Sequence, residues 1–288
     1  MRKSAALILA ILLVCLAVIS SAAEYRFSED ADAIENAADS VFMLEVYSSS
    51  NRQIAVGSGF VVFRSDLLAT NYHVIEDGAY VIAVSDDSQR YSVSRVCAYD
   101  KNLDTAILQF DTVTNVRPLE LCATDQLKRG QTVVAIGSPA GLMNTISMGN
   151  ISAFYKQNRK DWIQFTAPIS SGSSGGALFN DQGKVIGITT ATYSSAQNVN
   201  MAVRSECVAA LYNGWDGKTT IAMNRLTGQG SFTAYSTEQR NERGTVYVSP
   251  SGTKYHSNPN CSKMKNAVPI DLLEAIGRGY TPCGKCFR

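Results

Sequence analysis

From residue 41 to residue 203 the chain is built of short apolar segments rather than long amphipathic ones. Segments 55–63, 80–85, 105–110, 131–136, 162–166 and 184–190 are rich in β-branched and aromatic residues, and clusters of Gly, Asn, Asp or Ser separate them. Segments of that length with turn chemistry between them predict an all-β body, a barrel or a sandwich. The stretch 205–213 breaks the pattern. Val208 and Leu211 stand at helical spacing and Gly214 follows, which predicts a short closing helix with Ser205 as its N-cap. With 288 residues, 45% hydrophobic and 18% charged, the chain can bury a substantial core in one large domain plus a small one. Coiled coils, solenoids and multi-span membrane proteins are excluded.

The two ends differ from this body. Arg2 and Lys3 precede an apolar run over 5–19, and Ser20-Ser21-Ala22-Ala23 follows it. A basic start, a short apolar stretch and small residues predict a secretory signal peptide over 1–23. An uncleaved N-terminal anchor is the alternative, although the run falls short of the ~20 apolar residues of a span. Either reading places the mature chain outside the cytoplasm, where thiols oxidise. Cys97 and Cys122 flank the Asp104 segment and are read either as a disulfide or as two buried small hydrophobes.

The main domain is expected over 24–213. Residues 214–243 are polar, contain Gly214, Gly217, Gly228 and Gly230, and end in the charged run 238–243, the composition of a linker. An added strand near 231–235 is the alternative. Residues 244–288 read as a separate small α+β module, with a strand over 245–249, a turn at Gly252 and a helix from near Pro269 to 276, ended by Gly277. A module that small needs a staple.

Three stretches carry chemistry. Gly57-Ser58-Gly59-Phe60-Val61-Val62 is followed by Thr70-Asn71-Tyr72-His73-Val74-Ile75; Asn102-Leu103-Asp104-Thr105-Ala106 comes next; Ile169-Ser170-Ser171-Gly172-Ser173-Ser174-Gly175-Gly176 is third. A serine hydroxyl becomes a nucleophile when a base takes its proton. Neutral imidazole does this near neutral pH, and a carboxylate fixes its tautomer and steadies the imidazolium. The oxyanion that develops needs N–H donors, and glycines allow the turn that aims them. Ser174 is the candidate nucleophile, His73 the base and then the acid, and Asp104 the orienter. The N–H groups of Gly172 and Ser174 are the candidate oxyanion donors. The chain has only two histidines, and the second, His256, lies near the C-terminus.

These stretches resemble the chymotrypsin-fold serine proteases, in particular the bacterial trypsin-like group that includes the HtrA (Deg) proteases. The likeness runs from Gly57 to Ser205 and includes Gly130-Gln131-Thr132-Val133-Val134-Ala135-Ile136-Gly137-Ser138-Pro139, Gly183-Lys184-Val185-Ile186-Gly187-Ile188 and Asn200-Met201-Ala202-Val203. It implies two packed six-stranded antiparallel β-barrels with the site in the cleft between them, His73 and Asp104 from the first and Ser174 from the second. It also implies endopeptidase activity through an acyl-enzyme, on protein or peptide substrates, with no cofactor in catalysis. The chain departs from the pattern where Ser173 replaces the usual Asn and Ser170-Ser171 replaces Asn-Pro. The resemblance puts Pro168 at the base of the primary substrate pocket. A neutral residue there implies small or medium apolar side chains rather than Lys or Arg.

The C-terminus holds a second constellation. Tyr255-His256-Ser257-Asn258-Pro259-Asn260-Cys261 gives H-x4-C, and Tyr280-Thr281-Pro282-Cys283-Gly284-Lys285-Cys286 gives C-x2-C. His256, Cys261, Cys283 and Cys286 match a tetrahedral structural Zn2+ site with no position left for a catalytic water. A disulfide between two of the three cysteines is the alternative. The segment also resembles a small module, related in pattern to the Ada-type metal-binding fold, which implies metal binding but no defined activity. Six basic residues against two acidic ones give 244–288 a charge of +4. That suits contact with a cell envelope or an anionic polymer. The whole chain, with 26 basic and 25 acidic residues, carries no strong nucleic-acid signal. The sequence thus predicts a secreted serine endopeptidase with a zinc-stabilised tail. A catalytically silent protease-fold binding or envelope adaptor protein is the competing reading.

Overall fold

The structure, a computed structural model, describes residues 25–157, 160–192 and 198–226, and within the C-terminal segment residues 245–249, 252–256, 258–261, 264, 266–271, 275, 280–283 and 285. The predicted 1–23 leader, the 231–235 alternative strand and Cys286 lie outside the described residues.

Seven strands form most of the first half: β1 (Val41–Tyr47), β2 (Gln53–Val61), β3 (Leu67–Thr70), β4 (Tyr80–Val84), β5 (Arg90–Val93), β6 (Arg95–Asp100) and β7 (Thr105–Gln109). Six more form the second: β8 (Thr132–Gly137), β9 (Thr145–Gln157), β10 (Lys160–Phe165), β11 (Ala177–Asn180), β12 (Val185–Thr192) and β13 (Asn200–Arg204). The second set closes into the expected six-stranded barrel in the order β10-β13-β12-β11-β8-β9, every pairing antiparallel. The first is not a closed six-stranded barrel. It is a curled eight-stranded sheet in the order β14-β6-β7-β3-β2-β1-β4-β5, with β14 (Ile221–Ala222) on its edge. β5, at one end, is joined to β6, next to the β14 edge, by chain continuity rather than a ladder, because only Ser94 separates them. Asp111 ties that corner. Its N–H donates to Ser92 O at 2.9 Å, and its carboxylate accepts from Ser92 Oγ at 2.7 Å and Ser94 Oγ at 2.8 Å.

One apolar cluster joins the two halves. Val41, Phe60, Val62 and Ile107 from the sheet meet Val134, Ile136, Phe179 and Ile188 from the barrel, all at most 1% exposed. Two helices seal it. α1 (Ala31–Ala38) is capped by Asp30, which accepts from Ala33 N at 3.0 Å, and buries Ile34, Ala37 and Ala38 in the cluster. The predicted closing helix spans Ser205–Gly214 and buries Val208 and Leu211 there. Its N-cap is Arg204, not Ser205. The Ser205 hydroxyl instead donates to Cys122 O at 2.6 Å, pinning the helix start to the barrel.

The linker reading of 214–243 is corrected at its start. Trp215 is buried, Met223 N–H donates to Ser94 O at 2.8 Å, and Met223 and Leu226 fill the first sheet's core. Truncating a buried methionine costs about 2–5 kcal/mol, so these residues are part of the folded body. Residues 227–244 lie outside the described set. Cys97 is a free, fully buried thiol, so it forms no bridge with Cys122, and burial pushes it up to about 12.

The C-terminal segment forms β15 (Thr245–Val248), β16 (Lys254–His256), β17 (Val268–Asp271) and β18 (Thr281–Pro282), in the order β17-β15-β16-β18. The helix expected from Pro269 does not begin there: Pro269 lies in β17, opposite Tyr247. β17 is an edge strand, where a proline's missing N–H breaks no inner ladder. Val246, Val248, Tyr255 and Ala275 make a small core of their own. Among the described residues no helix is long and apolar enough to cross a membrane.

Candidate active site and metal cluster

His73 rides on a four-residue helix, α2 (Tyr72–Ile75), which turns directly off β3. Asp104 sits just before β7 with φ of 54°, a left-handed conformation that Asp adopts more readily than most residues other than Gly and Asn. It receives His73 twice, Oδ1 from the backbone N–H at 2.9 Å and Oδ2 facing ring Nδ1 at 2.8 Å. A carboxylate only accepts, so neutral His73 carries its proton on Nδ1 and leaves the Nε2 lone pair free. The carboxylate is 12% exposed and the imidazole 43%, so the ring opens toward solvent while the carboxylate stays inside.

The serine loop comes from the barrel, and its hydrogen bonds decide where its amides point. Ser173 N–H donates to Ser170 O at 2.9 Å, Gly175 N–H to Thr189 O at 2.8 Å and Gly176 N–H to Ser173 O at 3.0 Å. The amides of Gly172 and Ser174 have no acceptor among the described residues. A trans peptide points its N–H away from its C=O. The Ser171 carbonyl accepts from Ala140 N at 2.7 Å, and the Ser173 carbonyl is taken by Gly176 N and Thr189 Oγ1. The amides of Gly172 and Ser174 are therefore turned away from those anchors, both on a loop whose glycines reach φ of 95° at Gly172 and 92° at Gly175.

Ser58 of β2 fastens this loop to the first sheet. Its N–H donates to Ser174 O at 2.7 Å, and its hydroxyl donates to Gly172 O and accepts from Ser138 N, both at 2.8 Å. Gly57 marks where the two halves meet: a methyl there would lie 2.5 Å from Val74 Cγ1, beside His73, and 3.2 Å from Ser174 O. The Ser174 hydroxyl itself donates to Thr190 O at 2.9 Å, not to the imidazole. A hydroxyl has one proton to give, so in this rotamer Ser174 offers none to His73.

Pro168 lines a recess with Ile169, Ser173 and Thr189, but its free volume is about 10 Å³, room for one water and not a side chain. A cavity of about 400 Å³ is lined by His73 together with Arg52, Ile54, Ala55, Val74 and Asp77. Ser58, Asn71, Ala140 and Thr190 were not singled out from the sequence. Their parts are played by main-chain groups and buried amides or hydroxyls, which carry no spacing signal.

Far from these residues in sequence, His256 on β16, Cys261 and Cys283 bring one ligand atom each within 4.8 Å of one another. The two sulfurs are 3.9 Å apart. A disulfide holds them at about 2.05 Å, whereas two thiolates at about 2.3 Å from one tetrahedral Zn2+ lie roughly 3.8 Å apart. The donor set therefore fits a metal better than a bridge. Burial, and then the Lys254 charge, hold the His256 imidazole below its usual range.

Comparison with known proteins agrees with the geometry. Residues 57–188 match the family described as the trypsin-like peptidase domain. The anti-sigma-I factor RsgI9 of Acetivibrio thermocellus is 38% identical over 176 residues, covering 61% of this chain and 25% of that protein. The probable periplasmic serine endoprotease DegP-like of Chlamydia muridarum is 35% identical over 150 residues, covering 50% of this chain and 30% of that protein. The chain thus spans under a third of the length of these two curated relatives. Among solved structures, the HtrA-type protease AlgW with tripeptide superposes with a TM-score of 0.59 at 29% identity, covering 64% of this chain and 62% of that one. Residues 57–188 thus match a trypsin-like peptidase domain, and the relatives and structural neighbours of this chain include HtrA-type serine proteases.

Proposed function

We propose that the chain is a serine endopeptidase acting on protein or peptide substrates outside the cytoplasm. One observation carries the reading: the two open amides of Gly172 and Ser174 flank the hydroxyl of Ser174, on the loop that Ser58 fastens to the His73–Asp104 half. In this reading the hydroxyl leaves the Thr190 carbonyl and turns to His73 Nε2. As Oγ attacks the scissile carbonyl, Nε2 takes its proton and Asp104 steadies the imidazolium. The carbonyl oxygen becomes an anion held by the amides of Gly172 and Ser174. Nε2 then protonates the leaving amine, the C–N bond breaks, and an acyl-enzyme remains on Oγ. Water, deprotonated by Nε2, releases the acid and restores the serine. The neutral surroundings of Pro168 favour small or medium apolar side chains on the acyl side once the recess widens. Labelling by a fluorophosphonate, with loss of label in Ser174→Ala, tests the reading. An unlabelled wild type rejects it.

We further propose a structural Zn2+ held by His256, Cys261, Cys283 and Cys286, which would cross-link the C-terminal sheet. Secretion through a leader over residues 1–23 is supported by the leader-like composition and by the periplasmic relative in Chlamydia. A mature N-terminus other than Glu24 argues against that cleavage. A second reading has a specific support, the 38% likeness to a protein named an anti-sigma factor. In that reading the peptidase domain is a silent platform and the +4 tail an envelope or polymer contact. A labelled Ser174 excludes the silent platform.

A further inference from the structure

The proposed base and nucleophile reach the site on different halves of the molecule, and Asn71 lies between them. It precedes α2 and is fully buried. Its side-chain nitrogen donates to the main-chain carbonyl of Asp104 at 2.8 Å and to Thr190 Oγ1 at 3.1 Å. One amide hydrogen thus goes to each half. Thr190 passes its own hydroxyl proton to Ile188 O at 2.9 Å, and its carbonyl accepts the Ser174 hydroxyl at 2.9 Å. A continuous line of bonds therefore runs from Asp104 through Asn71 and Thr190 to Ser174.

Two details argue that this amide is kept for more than packing. Asn71 Oδ1 is buried with no hydrogen-bond partner, a cost an apolar residue would avoid. Turning the amide over would set Oδ1 against the Asp104 carbonyl, two acceptors facing each other, so the observed orientation is dictated. Asp104 is also held at φ of 54°, and the Asn71 bond fixes the peptide that follows it. That is the residue whose two carboxylate oxygens grip His73.

We propose that Asn71 is a positioning residue that couples the His73–Asp104 pair to Ser174 through Thr190. The inference rests on the hydrolase reading above. Asn71 touches no reacting atom; it sets the separation and orientation of groups that do. A misplacement near 1 Å costs about 10²-fold in rate.

The test measures kcat and KM on a fluorogenic peptide, with fluorophosphonate labelling rates, for the wild type, N71A, T190V, T190S and N71A/T190V. N71A and T190V are each expected to lower kcat and labelling about 10- to 100-fold, with KM within about twofold. The double variant is expected to be no slower than the worse single one, because both break the same bond. T190S, which keeps the hydroxyl, is expected to rescue most of the T190V loss. Wild-type rates in N71A, losses that multiply in the double variant, or T190S as slow as T190V overturn the coupling. Should N71A fail to fold, the T190V and T190S comparison decides alone. A wild type that neither labels nor cleaves overturns the hydrolase reading, and the coupling with it. An active wild type with an equally active N71A overturns the coupling only.

Discussion

Replacing Gly175 with alanine isolates the loop that aims the amides. A Cβ at Gly175 would lie 1.9 Å from Ser58 O and 2.4 Å from Thr70 Oγ1, with φ of 92°. That carbonyl has little freedom, since Thr70 Oγ1 donates to it at 2.7 Å within the first sheet. Regaining an ordinary 3.4 Å contact requires the loop and Ser58 to part by about 1.5 Å. Ser58 also holds the carbonyls of Gly172 and Ser174, so the parting moves both amides. Loss of one oxyanion donor costs roughly 10²–10³-fold, and an ångström of misplacement about 10². Gly175→Ala is therefore expected to lose at least about 10²-fold in kcat/KM. Gly130→Ala is the control. Its φ is 89°, but nothing lies within 4 Å of its Cβ. It should suffer the left-handed backbone penalty of about 1–2 kcal/mol, a fall of roughly 2–8 °C in Tm, with unchanged turnover. Peptide hydrolysis and thermal melting by circular dichroism read both. Gly175→Ala within threefold of wild type, or Gly130→Ala as inactive as Gly175→Ala, refutes the reasoning.

Other outcomes follow from single contacts. Ser58→Ala strands the Gly172 carbonyl and the Ser138 amide inside the protein; it should cost about 1–3 kcal/mol in chemical denaturation and slow hydrolysis, and unchanged turnover would dismiss Ser58 as a clamp. Zinc analysis of the full chain should find one ion, and Cys261→Ser should lose it; zinc retained in Cys261→Ser would remove that ligand from the set. Burial raises the Glu206 carboxyl above the usual carboxylate range, against the bonds it accepts from Thr124. Because its folded value is raised, its contribution is full at acid pH and lost as pH rises from the ordinary glutamate range through the raised one. Glu206→Gln should thus gain stability relative to wild type across that rise, and parallel stability–pH curves would show the carboxyl to be unperturbed.

Much of the fold is legible because strands and turns announce themselves locally. The helix over 205–213 and most strand centres follow from periodicity and turn residues, and the chemistry-bearing residues follow from their order. Three features escape because they depend on tertiary partners. Residues 215–226 have a linker's composition, yet Met223 and Leu226 find a place in the first sheet's core that no local pattern advertises. Pro269 at a helix start and Pro269 on an edge strand look alike in sequence, and pairing with β15 decides between them. The curl of the first sheet turns on Ser94, a single residue between two strands. At the site, His73, Asp104 and Ser174 stand out through side-chain chemistry. Ser58 acts through main-chain atoms, and Asn71 and Thr190 through bonds to main-chain atoms and to each other, none of which leaves a spacing signal in the sequence.

The most direct measurement is a crystal structure of the protein after reaction with a small fluorophosphonate. The account predicts a phosphorus on Ser174 Oγ, with one phosphoryl oxygen within hydrogen-bond distance of both Gly172 N and Ser174 N and the hydroxyl's old place at Thr190 O vacated. An adduct on another residue, or a phosphoryl oxygen turned away from both amides, would contradict it.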